Sequence, residues 1–481
     1  MIEMSLAEVA EATGARLVGA DPSTAVTGEV QVDSRLVEAG GLFVALPGER
    51  TDGHDHVAAA VEAGAVAALV EREVPGAPCL LVPDALVALQ ALARAVITAE
   101  TAPRVVGVTG SSGKTSTKDL LAHVLGPGTL APAGSFNNEV GLPLTCLRRT
   151  ADTPAAVLEY SARGIGHIAF LTGIAPPHVS VVLNVGSAHL GEYASVDGIA
   201  AAKGELVEGV QPHGDTAPLV VLNADDARVL GMRDRAPAGA QVVTFGEGAD
   251  ADVRAEDVAL RDDGTAAFTL VAGEARHPVA LGLVGEHHVS NALAVAAAAV
   301  HAGLVDPATV AERLATARPA SRWRMEVTER ADGVTLVNDA YNANPESMRA
   351  ALKTLAVMSR GKTRRTWAVL GVMGELGEAS RDAHFELGRH VVRLDVSRLV
   401  VVGPDAGGIH AGAVLEGSWG DESVHVDDVE AAAGLLADEL APGDVVLVKA
   451  SRSAGLERVA AALLAARPSG RPDPNDAEDS P

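Results

Sequence analysis

Nine consecutive residues constrain this chain more than any others: Thr109-Gly110-Ser111-Ser112-Gly113-Lys114-Thr115-Ser116-Thr117. A β-like run over 104–108 leads in, and a helix-like run over 118–125 leads out. Strand, glycine turn and helix start, in that order, are what a phosphate-binding loop requires. Glycines let backbone N–H groups approach phosphate oxygens, and the helix start adds a positive dipole end. Lys114 adds a point charge, and the Thr115 hydroxyl can ligate Mg²⁺. A capped tight turn with a solvated lysine is the bland alternative, and the two flanks argue against it. The general motif has glycine where this chain has Val108, so the loop is the shorter T-G-x-x-G-K-T form.

The length of 481 residues suggests about three domains. Aromatic residues are only 2% of the chain, so its cores must be built from Ala, Val and Leu. The net charge of −25 repels nucleic acid and anionic membranes as a whole, and an anionic substrate needs a local cationic pocket. Cys79 and Cys146 are far apart and lack metal-ligand spacing, which fits a reducing cytosol. The N-terminus has no basic region followed by an apolar core, so no signal peptide is read there, and no apolar stretch is long enough to span a bilayer. A cytoplasmic protein is expected. Lysine is scarce: only 114, 118, 203, 353, 362 and 449, against 32 arginines. Under such a bias, a retained lysine points weakly to a position that arginine cannot fill, and Lys114, Lys203 and Lys449 stand out.

The organisation reads as α/β throughout. Residues 1–102 mix short strands with Ala-rich helices and close after the helix-like run 84–100. Residues 103–318 open with the phosphate loop and continue with strand-like runs at 155–161, 179–186 and 219–223, separated by helical stretches, which argues for a mostly parallel sheet. Over 241–284 the pattern changes to short alternating strands with a hairpin signal at Asp262-Asp263-Gly264, before a long helix over 287–304. Residues 319–466 alternate again: strands at 334–337, 367–372, 399–402 and 445–448, helices at 345–358, 381–394 and 456–466. The tail, 467–481, is rich in Pro, Asp and Ser and reads as disordered.

In an α/β sheet, ligands gather at the carboxyl ends of strands. Glu159, Asn184 and His189 fall at or just beyond such ends. A carboxylate near a phosphate loop usually serves Mg²⁺, although Glu159 alone is as readily a salt-bridge partner and His189 alone a capping histidine. Lys203 lies on a helix-like run, where a lysine is usually solvated. Asn291 follows Gly285-Glu286-His287-His288 at the start of the long helix and could meet a nucleobase edge or simply belong to helix-start chemistry. The run Asn338-Asp339-Ala340-Tyr341-Asn342-Ala343-Asn344-Pro345 ends a strand with polar groups, an aromatic and a proline, suited to a ribose or base contact or to an Asx-turn. Lys449-Ala450-Ser451-Arg452 ends a late strand in the same way.

Taken together, these residues resemble the Mur ligase family of ATP-dependent amide-bond synthetases, over nearly the whole chain from Asp33 to residue 466. The run Asn338 to Met348, with the runs over 162–168 and 370–377, is similar to that of the family member adding D-alanyl-D-alanine to UDP-N-acetylmuramoyl-tripeptide. The resemblance implies an N-terminal UDP-sugar domain, a central ATPase domain and a C-terminal Rossmann-like domain. It implies that Thr109 to Ser116 bind ATP, with Lys114 and Thr115 on the β- and γ-phosphates and Thr115 on one Mg²⁺. Glu159 and His189 match ligands of a second Mg²⁺, and Lys203 matches a lysine carbamylated in this family. Asn291, Arg324 and Asp339 match ATP contacts. Ser34 and Arg35 match the uridine-nucleotide site, and Asn137 and Asn138 match a run facing the muramoyl-peptide. Lys449, Ser451 and Arg452 are expected on the substrate side, and a monomer is expected. Four positions depart from the family pattern: His288 replaces Asn, Trp323 and Ala450 replace Gly, and Ser135 replaces Asn.

The implied chemistry is coherent. A peptide carboxylate is a poor electrophile; attack on the γ-phosphate of ATP gives an acyl phosphate, which the dipeptide amine then attacks. Lys114 and two Mg²⁺ offset the charge that crowds together in the first step. Within the family, the alternative is a ligase adding a single amino acid to muramoyl-peptide or folate. A GTPase would carry an Asn-Lys-x-Asp motif, and the chain has no Asn-Lys pair. A nucleotide-gated scaffold without activity would have lost Lys114, Glu159, His189 or Lys203, and all four are present.

Overall fold

The computed structural model describes residues 1–48, 51–132, 134–186, 193, 195–359, 364–418 and 420–465. The expected disordered tail and His189 lie outside the described residues.

The first helix, Leu6–Thr13, begins at a reciprocal cap: the Ser5 side chain accepts from the Glu8 backbone, and the Glu8 carboxylate accepts from the Ser5 N–H at 2.7 Å. A five-stranded sheet follows, in the order Arg16–Val18, Cys79–Leu81, Ala67–Val70, Leu42–Val44, Val30–Gln31, parallel except for its first pair. Helix Ala85–Ile97 buries one face in the core shared with this sheet and links it to the central domain. Gln90 Nε2 donates to the Glu139 carbonyl at 3.1 Å. The fully buried Arg149 donates to the carbonyls of Val96 and Thr101, satisfying orphan carbonyls at the helix end with a charge-assisted donor.

The central sheet has eight strands. From one edge they run Ala155–Glu159, Arg104–Thr109, Val179–Val182, Leu219–Asn223, Gln241–Gly246, Val253–Leu260, Thr265–Ala272 and Ala275–Val284. The first six are parallel, and the last two turn antiparallel. The parallel strands are buried on both faces, which is why they read as continuous Val and Leu runs rather than as an alternation. The expected hairpin is present: Gly264 takes φ +79° and the Asp263 carboxylate accepts from Thr265 N at 2.9 Å. Helix His287–His301 is buried on every side by Ala292, Ala294 and Ala296 to Ala299. Side chains this small let a helix wedge between the parallel sheet and the hairpins at close range, so a core nearly without aromatics still packs.

The C-terminal sheet has six strands in the order Glu326–Glu329, Thr335–Asp339, Val445–Lys449, Thr366–Leu370, Arg398–Val402, Ser423–Val426, antiparallel only at its first edge. Helices Pro345–Ser359, Ser380–Arg393 and Gly407–Glu416 share one core face with it, and Val429–Glu439 and Glu457–Ala465 the other. Neighbouring strands Thr335–Asp339 and Val445–Lys449 therefore send the chain to opposite faces, opening a crevice at their carboxyl ends.

Helix Gly407–Glu416, strand Ser423–Val426 and helix Val429–Glu439 were absent from the sequence expectation. Gly407, Gly408 and Gly412 lower helix propensity and hide the first of these. Close packing overrides that preference. A Cβ on Gly412 would lie 2.0 Å from the Phe385 carbonyl, and one on Gly388 would lie 1.9 Å from that of Ile409. The two helices meet backbone to backbone. Among the described residues, no helix is long and apolar enough to cross a membrane.

Candidate active site

Strand register assembles the site. Arg104–Thr109 lies between two parallel neighbours, with Val108 opposite Glu159 and Thr109 opposite Val182. The phosphate loop, Glu159 and the segment carrying Asn184 therefore leave the sheet side by side. Asn184 braces the loop: its carbonyl accepts from Ser111 N at 3.1 Å and its Oδ1 from Ser112 N at 2.9 Å. Gly113 has φ +81°, and a Cβ there would lie 2.7 Å from Asn291 Oδ1, so only glycine fits. Lys114 folds back and donates from Nζ to the Gly110 carbonyl at 2.7 Å. Burial lowers its pKa, opposed mainly by the carboxylate of Glu159.

Glu159 is the anionic centre. It is buried, its Oε2 accepts from the Thr115 hydroxyl at 2.9 Å, and its Oε1 accepts from Asn137 Nδ2 at 2.8 Å. Ser135 shares the Thr115 hydroxyl at 3.1 Å. Among the described residues no cationic side chain forms a salt bridge with Glu159, so its charge and the surrounding oxygens suit a hard divalent cation. No cluster of three or more His, Cys, Asp or Glu side chains occurs among the described residues. Oxygen ligation at Glu159 and Thr115 would thus need completing by other groups. Lys203 is buried on helix Val196–Glu208, and its pKa falls well below the usual lysine range, first through burial and then through the Lys114 charge. Its helix is fixed by Glu205, which accepts from Gly166 N at 2.5 Å and Ala169 N at 2.9 Å, tying it to the 162–168 run.

The facing wall comes from the C-terminal domain. Asp339 and Lys449 end adjacent parallel strands and form a buried ion pair of 2.5 Å; Lys449 also donates to the Asn342 carbonyl at 2.9 Å. Arg324 donates to Thr115, lies over the Tyr341 ring at 4.2 Å, and joins the two walls. Between them lies a cavity of about 430 Å³ lined by the phosphate loop, Glu159, Asn291, Arg324, Asp339 and Lys449 among others. A second opening of about 640 Å³ shares Thr115, Ser135, Arg324 and Tyr341 with it. His287 and His288 also line the smaller cavity; burial lowers the His287 pKa to about 4 and that of His288 well below the usual range.

Ser111, Ser112, Gly113, Lys114, Thr115, Ser116, Asn137, Glu159, Asn291, Arg324, Asp339 and Lys449 all line that one cavity. Asn184, Tyr341, Asn342 and Asn344 line it too, but several other residues named from the sequence do not. The Thr109 hydroxyl turns into the core and donates to the Tyr160 carbonyl at 2.8 Å. The Asn138 side chain caps a helix, accepting from Gly141 N at 2.8 Å. The Ser451 hydroxyl accepts from Gly374 N at 2.8 Å, and Arg452 pairs with Glu457. Ser34 and Arg35 lie in the N-terminal domain, where Arg35 pairs with Asp33 at 2.6 Å. Ser135 is the contact that sequence reasoning missed: as a departure from the family pattern it signalled a lost contact, yet its hydroxyl reaches Thr115. Of the other departures, Ala450 packs against Gly371, while Trp323 holds φ +60° without being glycine.

A braced phosphate loop, a buried carboxylate and a facing Rossmann-like wall define a nucleotide-dependent enzyme closed between two domains. Family models agree along the chain: "Mur ligase family, catalytic domain" over 27–106, "Mur ligase middle domain" over 108–299 and "Mur ligase, glutamate ligase domain" over 323–452. The chain belongs to the Mur ligase family. Within it, the chain is 48% identical to the UDP-N-acetylmuramoyl-tripeptide–D-alanyl-D-alanine ligase of Mycobacterium tuberculosis, covering 97% of this chain and 98% of that protein. The ligase of the same name from Bacillus subtilis is 34% identical, with 96% and 99% covered. Among solved structures, MurF from Acinetobacter baumannii superposes with a TM-score of 0.84 at 32% identity, covering 96% and 99%. MurF from Thermotoga maritima in complex with ADP gives 0.77 at 32% identity, covering 91% and 97%.

Proposed function

We propose that this chain joins D-alanyl-D-alanine to UDP-N-acetylmuramoyl-tripeptide at the expense of ATP, a step of peptidoglycan precursor synthesis carried out in the cytoplasm. The observation that carries the reaction type is the cavity whose one wall is the phosphate loop and whose other wall is the carboxyl edge of the C-terminal sheet. The substrates rest on the full-length similarity to ligases named for them.

The tripeptide carboxylate attacks the γ-phosphorus, and the bond to the β–γ bridging oxygen breaks, giving an acyl phosphate and ADP. Lys114 and Arg324 converge on the Thr115 end of the loop and offset the negative charge that collects there. Asn137 and Ser135 hold Glu159 and Thr115 in place, so no rearrangement is needed when charge develops. Thr115, Glu159, His189 and a carbamylated Lys203 are the residues that would hold Mg²⁺, which supplies further charge neutralisation at the phosphate oxygens. Lys203 suits that role because burial disfavours its ammonium form, and an uncharged amine can add CO₂ and become an anion. The dipeptide amine, once deprotonated, attacks the acyl carbon; the C–O bond to phosphate breaks, and phosphate leaves with the second amine proton. Closure of the C-terminal domain against Thr115 shields the acyl phosphate from water. Ser34 and Arg35 serve the uridine nucleotide in the N-terminal domain, and residues 1–102, 103–318 and 319–466 act as the three units.

The test is phosphate release by the purified full chain. It should require ATP, UDP-N-acetylmuramoyl-tripeptide and D-alanyl-D-alanine together, with the ligated product seen by mass spectrometry. Turnover with L-alanine, D-glutamate or diaminopimelate, and none with the dipeptide, would reject the reading.

A further inference from the structure

Lysine is scarce in this chain, and the phosphate-loop chemistry gives no reason for the one at Lys118. It lies one helical turn beyond Thr115 on helix Lys114–Leu125, and its side chain is fully buried. Three oxygens meet its ammonium group. The carbonyls of Pro132 and Gly134 accept at 2.6 and 3.3 Å, and the Asp119 carboxylate stands 2.5 Å away. An ammonium aims three donors outward from one nitrogen, whereas a guanidinium holds its donors in one plane. That geometry accounts for a lysine here in a chain with 32 arginines. Each partner leads back to Thr115. Gly134 precedes Ser135, whose hydroxyl lies 3.1 Å from that of Thr115, and Asn137 donates to Glu159 at 2.8 Å. Asp119 Oδ2 accepts from Ser321 N at 3.2 Å, on the linker that brings Arg324 to Thr115 at 3.0 Å. One buried ion pair thus joins the phosphate-loop helix, the segment carrying Ser135 and Asn137, and the entry to the C-terminal domain.

We propose that Lys118 and Asp119 are positioning residues: Lys118 sets Ser135 and Asn137 against Thr115 and Glu159, and Asp119 registers the linker that carries Arg324. The assignment deepens the proposed function and rests on its reading of Thr115 and Glu159. Lys118 lines neither cavity, so it acts through its neighbours. Lys118 and Thr115 are three residues apart on one helix face, so a single rigid element carries both the clamp and the hydroxyl it serves. Without the ammonium, two carbonyls and a carboxylate would face one another with no donor between them. The segment would then move to satisfy those oxygens with water. Ser135 and Asn137 would no longer stand preorganised when negative charge develops at the phosphate loop.

The experiment joins amide hydrogen exchange of the ligand-free full chain to steady-state kinetics. In Lys118→Met, peptides covering 134–138 and 320–324 should exchange roughly tenfold faster, while the strands of the central sheet keep wild-type rates. The kcat should fall roughly threefold to tenfold, the size of one hydrogen bond, with the KM for D-alanyl-D-alanine unchanged. Ser135→Ala should also lower kcat, and Lys118→Met/Ser135→Ala should fall no further than Lys118→Met, because the two side chains act through one contact. If the stranded Asp119 carboxylate prevents Lys118→Met from folding, Lys118→Met/Asp119→Asn removes both charges and carries the same measurements. Wild-type exchange at 134–138, or losses in kcat that multiply in the double variant, would overturn the proposal. A purely structural ion pair would speed exchange along the whole helix and leave kcat per folded molecule at the wild-type value, which overturns it too. A wild type that does not use the dipeptide would overturn the functional reading instead, and exchange alone would then decide the positioning role.

Discussion

Arg324 donates from Nη2 to the Thr115 hydroxyl across 3.0 Å, and Thr115 donates onward to Glu159 at 2.9 Å. One relay thus runs from the segment entering the C-terminal domain, through the phosphate loop, to the buried carboxylate. Arg324 is flanked in the chain by Trp323 and Met325, both left-handed, at φ +60° and +48°. Such angles cost on the order of 1–2 kcal/mol each, and three backbone contacts hold them. Trp323 N donates to Glu326 at 3.2 Å, Met325 N to Asp339 at 3.1 Å, and Tyr341 N to the Trp323 carbonyl at 3.3 Å.

Removing that relay should weaken nucleotide use. Arg324→Ala is expected to raise the KM for ATP and lower kcat/KM roughly tenfold or more, the worth of a charge-assisted hydrogen bond. Arg324→Lys should recover little, because an ammonium neither stacks on Tyr341 as a plane nor reaches Thr115 in the same geometry. Titration of ATP against initial rate decides it.

Lys114→Ala should cost about 10²–10³ in turnover, the loss seen when one donor to developing negative charge is removed. Its circular dichroism should match the wild type, because among the described residues the Lys114 ammonium hydrogen-bonds only within its own loop, to Gly110. Near-normal amide synthesis in this variant would place ATP elsewhere.

Lys203 offers a sharper contrast. As a carbamate it is an anion, so Lys203→Ala should lose activity and regain part of it with acetate or formate occupying the vacated anion site. The same additives should do nothing for Lys114→Ala, which lacks a cation. ¹³C NMR of the wild type in labelled bicarbonate should show a carbamate carbon that Lys203→Ala lacks. Normal turnover in Lys203→Ala would end the carbamate role.

Stability should fall with acid through a histidine far from the site. Burial holds the His178 pKa down at about 4, and its Nδ1 accepts from Val105 N at 2.9 Å, which only the neutral ring can do. The unfolded chain binds this proton near the ordinary value of about 6.5. The folded state therefore binds fewer protons between pH 6.5 and 4. This contribution is complete above about 6.5 and is lost as pH falls through that window. Urea midpoints measured from pH 7 to 4 should drop less steeply in His178→Asn, whose side-chain carbonyl keeps an acceptor without the titration.

The contact between helices Ser380–Arg393 and Gly407–Glu416 should tolerate no side chain at Gly388. Glycine to alanine there places a Cβ at 1.9 Å from the Ile409 carbonyl, so the helices must separate. A destabilisation of about 1–3 kcal/mol is expected, read from denaturant midpoints at unchanged slope. Alanine at Gly434, where a Cβ meets nothing within 4 Å, is the control.

Local rules made much of this protein legible in its sequence. The phosphate loop could be read because strand, glycine turn and helix start are contiguous, and each obeys nearest-neighbour chemistry. The parallel strands could be read because both their faces are buried, and the Asp263-Gly264 hairpin because its turn demands a left-handed residue. Tertiary structure decided what separated residues do together. Helix Gly407–Glu416 exists because Gly388 and Gly412 allow backbone contact, a gain that propensity cannot register. Thr109 and Asn138 carry suitable chemistry, yet neighbouring backbone groups claim their side chains. Ser135 and Arg324 are 189 residues apart, and both reach the Thr115 hydroxyl. The depressed basicity of Lys203 comes from burial and from Lys114, neither of which is a property of its own helix. Hydrogen bonds and charges act over a few ångströms of space, and the sequence specifies distance only along the chain.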